Sequence, residues 1–277
     1  MWTAIRDSML VIGEKINASN KSVGAAISSR DQQLLEDLAR AQSDAGADFI
    51  DVNAGAGQGS QDNAAATMEW LVDVVQGATE KPLAIDSDVP DVVQAALSKY
   101  RGDTVMINSV NAVPDRLKAV GRLAAERQAL LVALVMGEGG IPGTVEERLA
   151  ASELIMTHLS RQGVREDQIY FDPLVLPVSV DTSQALVTLK TIEQIKSRYP
   201  SAKTVMGLSN ISYGLPQRGM VNRAFLLMAA YAGLDAAILD PLDGKMMSFV
   251  KIADMLAGRD GSCKGFIRAH RKGLLVG

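Results

Sequence analysis

Eight short apolar runs punctuate this chain, each followed by a longer segment with helical periodicity: LVIGEKIN, FIDVNAG, LAIDS, TVMINSV, LLVALVM, IYFDPLVLP, TVMGLSN and AAILDPL. Within them Val, Ile, Leu and Met are nearly continuous, as in parallel strands covered on both faces. The segments between predict helices over 31–45, 63–79, 90–100, 114–127, 145–162, 183–199, 222–233 and 245–257. Pro90 and Pro114 stand near two of these starts, where a missing amide hydrogen costs least. Eight strand–helix units in 277 residues, with no Pro-, Gly- or Ser-rich linker, predict an α/β chain folded as a (β/α)8 TIM barrel, one domain over 1–277. Periodicity does not by itself show closure, so an open doubly wound sheet is the alternative.

Composition narrows the partners. With 28 basic and 32 acidic residues the net charge is -4, and no extended basic stripe is present of the kind that neutralises phosphates, so nucleic acid is not an expected partner. The single cysteine, Cys263, excludes an internal disulfide or a cysteine-rich metal site and fits a reducing cytoplasm. Arg6 and Asp7 interrupt the start where a secretory signal needs an apolar core, and no uncharged stretch has the length of a membrane span. A cytoplasmic protein with no membrane contact is expected.

In such a barrel the site lies at the carboxyl ends of the strands. The residues where the apolar runs give out are Glu14 and Asn17, Asp51 and Asn53, Asp86, Asn108, Asp172, Asn210 and Asp240. One such residue would most often be a cap or a turn; carboxylates and amides at nearly every strand end predict a shared cavity. Asp51 and Asp240 have further chain to turn before their helices and are expected in loops. No histidine belongs to the ring, since His158 and His270 fall in helical or terminal segments, and the neighbours of Lys15 alternate with it. A cavity of Asp and Asn suits a neutral heterocycle rich in hydrogen-bond donors, such as a pterin, a nucleobase or another aminopyrimidine.

Ten ordered stretches, IGEKIN, DVNAG, MEWLVDVVQ, AIDS, MINSVNA, GIP, DPLVLP, KTVMGLSNISYG, NRAFLLMA and GLDAAILDP, resemble the methyltetrahydrofolate:corrinoid methyltransferases along nearly the whole chain. The enzyme that methylates the corrinoid iron-sulfur protein and the folate module of cobalamin-dependent methionine synthase are the similar members. The resemblance implies a pterin site at the barrel mouth formed by Asp86, Asn108 and Asp172. It puts Asn210 at the pterin N5, with Gly207 and Ser209 of the same GLSN element beside it, Arg218 following at the family's spacing, and Glu14 and Asn17 in the opening element. Tyr213 stands where the iron-sulfur protein's enzyme is expected to have glutamine, a departure bearing on partner and loop contacts more than on chemistry.

What the resemblance implies about activity is methyl transfer between N5 of methyltetrahydrofolate and the cobalt of a corrinoid. The chain holds no Asp-x-His-x-x-Gly cobalamin motif, so the corrinoid (cobalamin) is expected on a separate partner protein. No intrinsic metal is expected, and a homodimer is. Asn210 is the expected catalytic group, strengthening its hydrogen bond as charge develops on the leaving nitrogen. A catalytically silent pterin-binding or corrinoid-docking module is the alternative. Dihydropteroate synthase is a weaker one, because its Asn-Thr-Pro-Asp loop and its Lys-Arg pair are absent.

Three further segments carry expectations. AGAGQGSQD and MGEGGIPGT are expected as mobile loops, the first at the site's rim; the functional alternatives are a phosphate cradle for the first and room for the corrinoid to approach for the second. CKGFIRAHRKGLLVG is expected as a solvated final helix, and FLLMAAYAG as barrel packing.

Overall fold

The computed structural model describes residues 8–55 and 61–277. Its strands are β1 Leu10–Asn17, β2 Phe49–Asn53, β3 Leu83–Asp86, β4 Val105–Asn111, β5 Leu130–Leu134, β6 Ile169–Asp172, β7 Lys203–Gly207 and β8 Ala236–Leu239. They pair in that order, all parallel, and β8 returns to β1 to close the barrel. The open-sheet alternative is thereby excluded. The helices are α1 Lys21–Ser29, α2 Gln32–Asp44, α3 Gln61–Ala78, α4 Pro90–Lys99, α5 Pro114–Arg127, α6 Val145–Arg161, α7 Gln184–Arg198, α8 Arg218–Ala232, α9 Gly244–Leu256 and α10 Lys264–Arg271.

Side-chain parity divides each strand between two cores. Leu10, Ile12, Phe49, Ala84, Met106, Val132, Tyr170, Val205 and Ala236 fill the barrel interior. The alternate residues, among them Ile50, Val52, Ile85, Ile107, Leu131 and Phe171, pack outward against the helices. This double burial is the physical reason the strands read as unbroken apolar runs.

The sequence expectations differ from the fold at several ends. α1 has no counterpart among the expected helices. Its KSVGAAISS sequence, with three Ser, a Gly and two β-branched residues, is weakly helical, but the Asn20 side chain caps the amides of Ser22 and Val23, and Arg30 closes the helix at φ 58°. α8 begins at Arg218 rather than 222, after Gln217 turns the chain at φ 52°. The AGAGQGSQD loop lies for residues 56–60 outside the described residues. Within MGEGGIPGT, Thr144 caps α6 by a capping box with Glu147. α10 is exposed apart from buried Ala269 and half-buried Phe266, as expected of a solvated final helix. FLLMAAYAG is only half barrel packing, because Phe225, Leu226, Ala229 and Ala230 are buried whereas Met228 and Tyr231 face outward, Tyr231 being 86% exposed. No helix among the described residues is long and apolar enough to cross a membrane.

Candidate functional site

The polar ring begins where the interior apolar column ends. On β2, Phe49, Asp51 and Asn53 share the inward parity, so Asp51 stands in the barrel two residues above Phe49 and is 2% exposed. The loop position expected for Asp51 is therefore wrong. The inward column is continued by a carboxylate because Asn108 of β4 reaches it across the barrel, donating Nδ2 to Asp51 Oδ1 at 3.1 Å. The intervening β3 presents only the methyl of Ala84 level with Asp51. One step nearer the mouth, Asn53 Nδ2 donates to Asp86 Oδ2 at 2.7 Å, while Asn53 Oδ1 accepts the amide of Gly55 at 2.7 Å. Two amides and two carboxylates on β2, β3 and β4 thus form interlocked pairs.

β1 reaches the same layer through a bulge. Gly13 pairs with Ile50 and Ile16 with Val52, so Glu14 and Lys15 together oppose the single residue Asp51. Simple alternation, which would turn Lys15 away from the site, fails at this step. Lys15 Nζ instead meets Asp240 Oδ2 at 2.9 Å, with both side chains about a third exposed (29% and 34%). Asp240 lies just beyond β8, in the loop expected for it, where Oδ1 accepts the amide of Leu242. Asn17 regains the inward register opposite Asn53, and its Oδ1 accepts the amide of Ser19 at 2.9 Å.

On the opposite wall β6 ends at Asp172, whose Oδ1 accepts the Leu174 amide at 2.8 Å. Asn210 is not at the end of β7, where the sequence places it. The strand stops at Gly207, and Asn210 belongs to a turn of 3-10 helix, Leu208–Ser212. The turn folds the Asn210 amide back toward Gly207, its Nδ2 lying 3.5 Å from the point a β-carbon there would occupy. Gly207 has the inward parity of Val205, so the missing side chain leaves that space to the amide. Arg218 secures the turn, with Nη2 on the Ser209 carbonyl at 2.8 Å and Nε on Ser212 Oγ at 3.1 Å. Its guanidinium lies 6.0 Å from the ring centroid of Tyr213, which is 66% exposed.

Burial dominates the electrostatics. The Glu14 carboxyl is pushed up to about 7, first by desolvation and then by Asp240, against the opposing pull of Lys15 and Arg218. Asp172 is pushed up to about 7 by its burial, with the Leu174 amide and Arg148 acting in the opposite sense. Asp51 is raised well above the usual carboxylate range by desolvation and by Asp86, and Asp86 is raised by desolvation. A donor-rich neutral ligand relieves such a site better than an anion would, because carboxylates accept from N–H groups without adding charge. Among the described residues no group of three or more His, Cys, Asp or Glu is placed to hold a metal ion.

Sequence reasoning missed Arg148. It is fully buried on α6 and donates to the carbonyls of Pro173 and Leu174 just beyond Asp172, at 2.8 and 2.9 Å. A signal existed: positions 148, 152, 155 and 159 form the buried stripe of α6, and Arg148 is the one charged residue on it.

Comparisons with known proteins give the family and the fold. The family model for pterin binding enzymes matches residues 13–240. The methylcorrinoid:tetrahydrofolate methyltransferase of Eubacterium limosum is 33% identical over 269 residues, spanning 96% of this chain and 97% of that protein. The methionine synthase of Mycobacterium leprae is 32% identical over 257 residues, 86% of this chain but 21% of that protein. Among solved structures, dihydropteroate synthase from Coxiella burnetii in complex with pteroic acid superposes with a TM-score of 0.67 at 15% identity, covering 91% of this chain and 94% of that one. That likeness shows a shared barrel fold. With the family model spanning the barrel and a methyltransferase aligned almost end to end, the chain belongs to the pterin-binding enzyme family, in its methyltetrahydrofolate:corrinoid methyltransferase branch.

Proposed function

We propose that this chain, as a single pterin-binding domain, transfers a methyl group between N5 of methyltetrahydrofolate and the cobalt of a corrinoid held by a separate protein. The observation that carries the reading is the convergence of Asp86, Asn108, Asp172 and Asn210 at one barrel mouth, in a chain aligned end to end with a methyltransferase named for these substrates. The direction proposed is the one in that name, with the methylcorrinoid as donor and tetrahydrofolate as acceptor.

In this reading Asp172 keeps Oδ1 on the Leu174 amide and offers its other oxygen to the pterin's amino and ring N–H donors. Asp86 and Asn108, paired across register on β3 and β4, take the remaining edge of the ring. Gly207 leaves the ring room to approach, and Ser209, Arg218, Glu14 and Asn17 shape the rim around N5. As the N5 lone pair forms its bond to the methyl carbon, the cobalt–carbon bond breaks with its electrons left on cobalt as Co(I), and N5 gives up its proton. In the reverse direction the same transition state is one in which lone-pair density is being released at N5 as the methyl leaves, and an Asn210 N–H donated to N5 stabilises that developing density. Glu14, pushed up to about 7, is suited to exchange that proton. The cobalt is taken to arrive with the partner, since the sequence holds no Asp-x-His-x-x-Gly cobalamin motif.

We also propose a cytoplasmic homodimer. Its support is α8, whose outer face places Met220, Ala224, Met228 and Tyr231 in one exposed stripe without a charge.

The test of the function is calorimetry with methyltetrahydrofolate and tetrahydrofolate, followed by a spectral assay of methylcobalamin with tetrahydrofolate. Binding with demethylation of the corrinoid is expected. Binding without methyl transfer, whether from free methylcorrinoid or from methylated corrinoid proteins, would make the chain a silent pterin module.

A further inference from the structure

Arg148 places a cation inside the protein with no carboxylate among its hydrogen-bond partners. Its Nε donates to the Pro142 carbonyl at 3.1 Å, and Nη1 donates to the carbonyls of Pro173 at 2.8 Å and Leu174 at 2.9 Å. Nη1 also contacts Thr188 Oγ1 at 3.3 Å, and Nη2 donates to Gln184 Oε1 at 2.9 Å. One side chain on α6 therefore ties the loop before its own helix to the loop after β6 and to α7. A buried guanidinium is costly even when fully bonded, and an apolar side chain of similar volume would pack this position at less expense. A role beyond packing is the economical explanation.

The loop after β6 shows what that role is. Leu174 stands at φ 67°, in the left-handed region that leucine rarely adopts. Both ends of this residue are held. Its amide donates to Asp172 Oδ1 at 2.8 Å, and its carbonyl accepts from Arg148 Nη1 and from Thr188 Oγ1, each at 2.9 Å. We propose that Arg148 is a positioning residue for the pterin site: by fixing the Leu174 carbonyl it holds the Leu174 amide on Asp172 and aims the free carboxylate oxygen of Asp172 at the ligand. The positive charge behind the loop also opposes the effect of burial on Asp172. Arg148 does this without touching the ligand, so its effect must pass through Asp172. This inference rests on the proposed pterin site and adds to it the device that orients its buried carboxylate.

The test is a double-mutant cycle on methyltetrahydrofolate affinity, read by calorimetry beside melting temperature. Arg148→Met is expected to weaken binding on the order of tenfold in the wild-type background and by less than about twofold in Asp172→Asn, the range typical of residues coupled through a shared contact. Arg148→Lys should restore only part of the loss, because an ammonium cannot reproduce the guanidinium fork. Equal weakening in both backgrounds would assign Arg148 to general stability and overturn the proposal. If Arg148→Met does not fold, Thr188→Val removes the other donor on the Leu174 carbonyl, and the same cycle should show coupling of smaller size; additivity there overturns it too. A wild-type protein that does not bind the folate removes the pterin reading, and this inference with it, whereas wild-type binding with an additive cycle removes only the inference.

Discussion

The amide nitrogen of Asn210 lies 3.5 Å from where a β-carbon of Gly207 would stand, so the catalytic candidate is folded back over the strand from which its turn departs. Arg218 pins that turn through the Ser209 carbonyl, which preorganises the amide before substrate arrives. Asn210→Ala is expected to lower the single-turnover methyl-transfer rate by roughly 10² to 10³, the scale of one preorganised donor, with a smaller change in affinity. Stopped-flow transfer beside calorimetry and melting temperature checks it. A near wild-type rate in folded, folate-saturated protein would remove Asn210 from the mechanism.

Asp172 supplies a prediction in which stability and binding move in opposite directions. Its carboxyl is pushed up to about 7, so the folded protein holds that proton more tightly than the unfolded chain does. The corresponding stability is full below the unfolded carboxylate range near pH ~4 and is lost as pH rises through about 7. Asp172→Asn should therefore melt higher than wild type at pH 8, by about 2 to 4 °C for each kcal/mol recovered, and lose that advantage in acid. Folate binding by wild type should weaken as pH falls below about 7, and binding by the variant should be weak throughout. Paired melting and calorimetric pH series decide the matter; a variant less stable than wild type at pH 8 would contradict it.

Asp51 is expected to matter to the ligand although it lies one layer below the mouth. Asp51→Ala leaves the Asn108 amide without its acceptor and should cost about 1 to 3 kcal/mol of folate affinity. Asp51→Asn, which keeps an acceptor oxygen, should cost less. Calorimetry of the two variants gives the comparison, and equal affinities in both and in wild type would show that Asn108 holds its place unaided.

The bare outer stripe of α8 predicts association. Tyr231→Glu, at a position 86% exposed in the single chain, should leave the melting curve of the barrel nearly unchanged and halve the mass measured by light scattering. An unchanged mass in the variant would place the dimer contact elsewhere, or show that no dimer forms.

Much of this was readable from the residues in order. The strands were legible because both their faces are covered, and most of the ring because polar residues interrupt those runs at the carboxyl ends. Asp51 was misassigned although its parity with Phe49 and Asn53 already aligned it with the interior. The β1 bulge could not be foreseen, since two residues oppose one only once β1 is laid against β2. The turn that carries Asn210 follows directly on β7, and what secures it is a contact from Arg218 on the next helix.

The sequence alone determined the class of fold and the chemical character of its mouth, because apolar period and polar interruption are local properties written along the chain. Tertiary structure alone decided which amide meets which carboxylate, that Lys15 pairs with Asp240, and that a buried arginine on α6 grips the loop behind Asp172. Those relationships join side chains from different strands and helices. No period or spacing encodes them, since each is set by the closure of the barrel that brings its partners together.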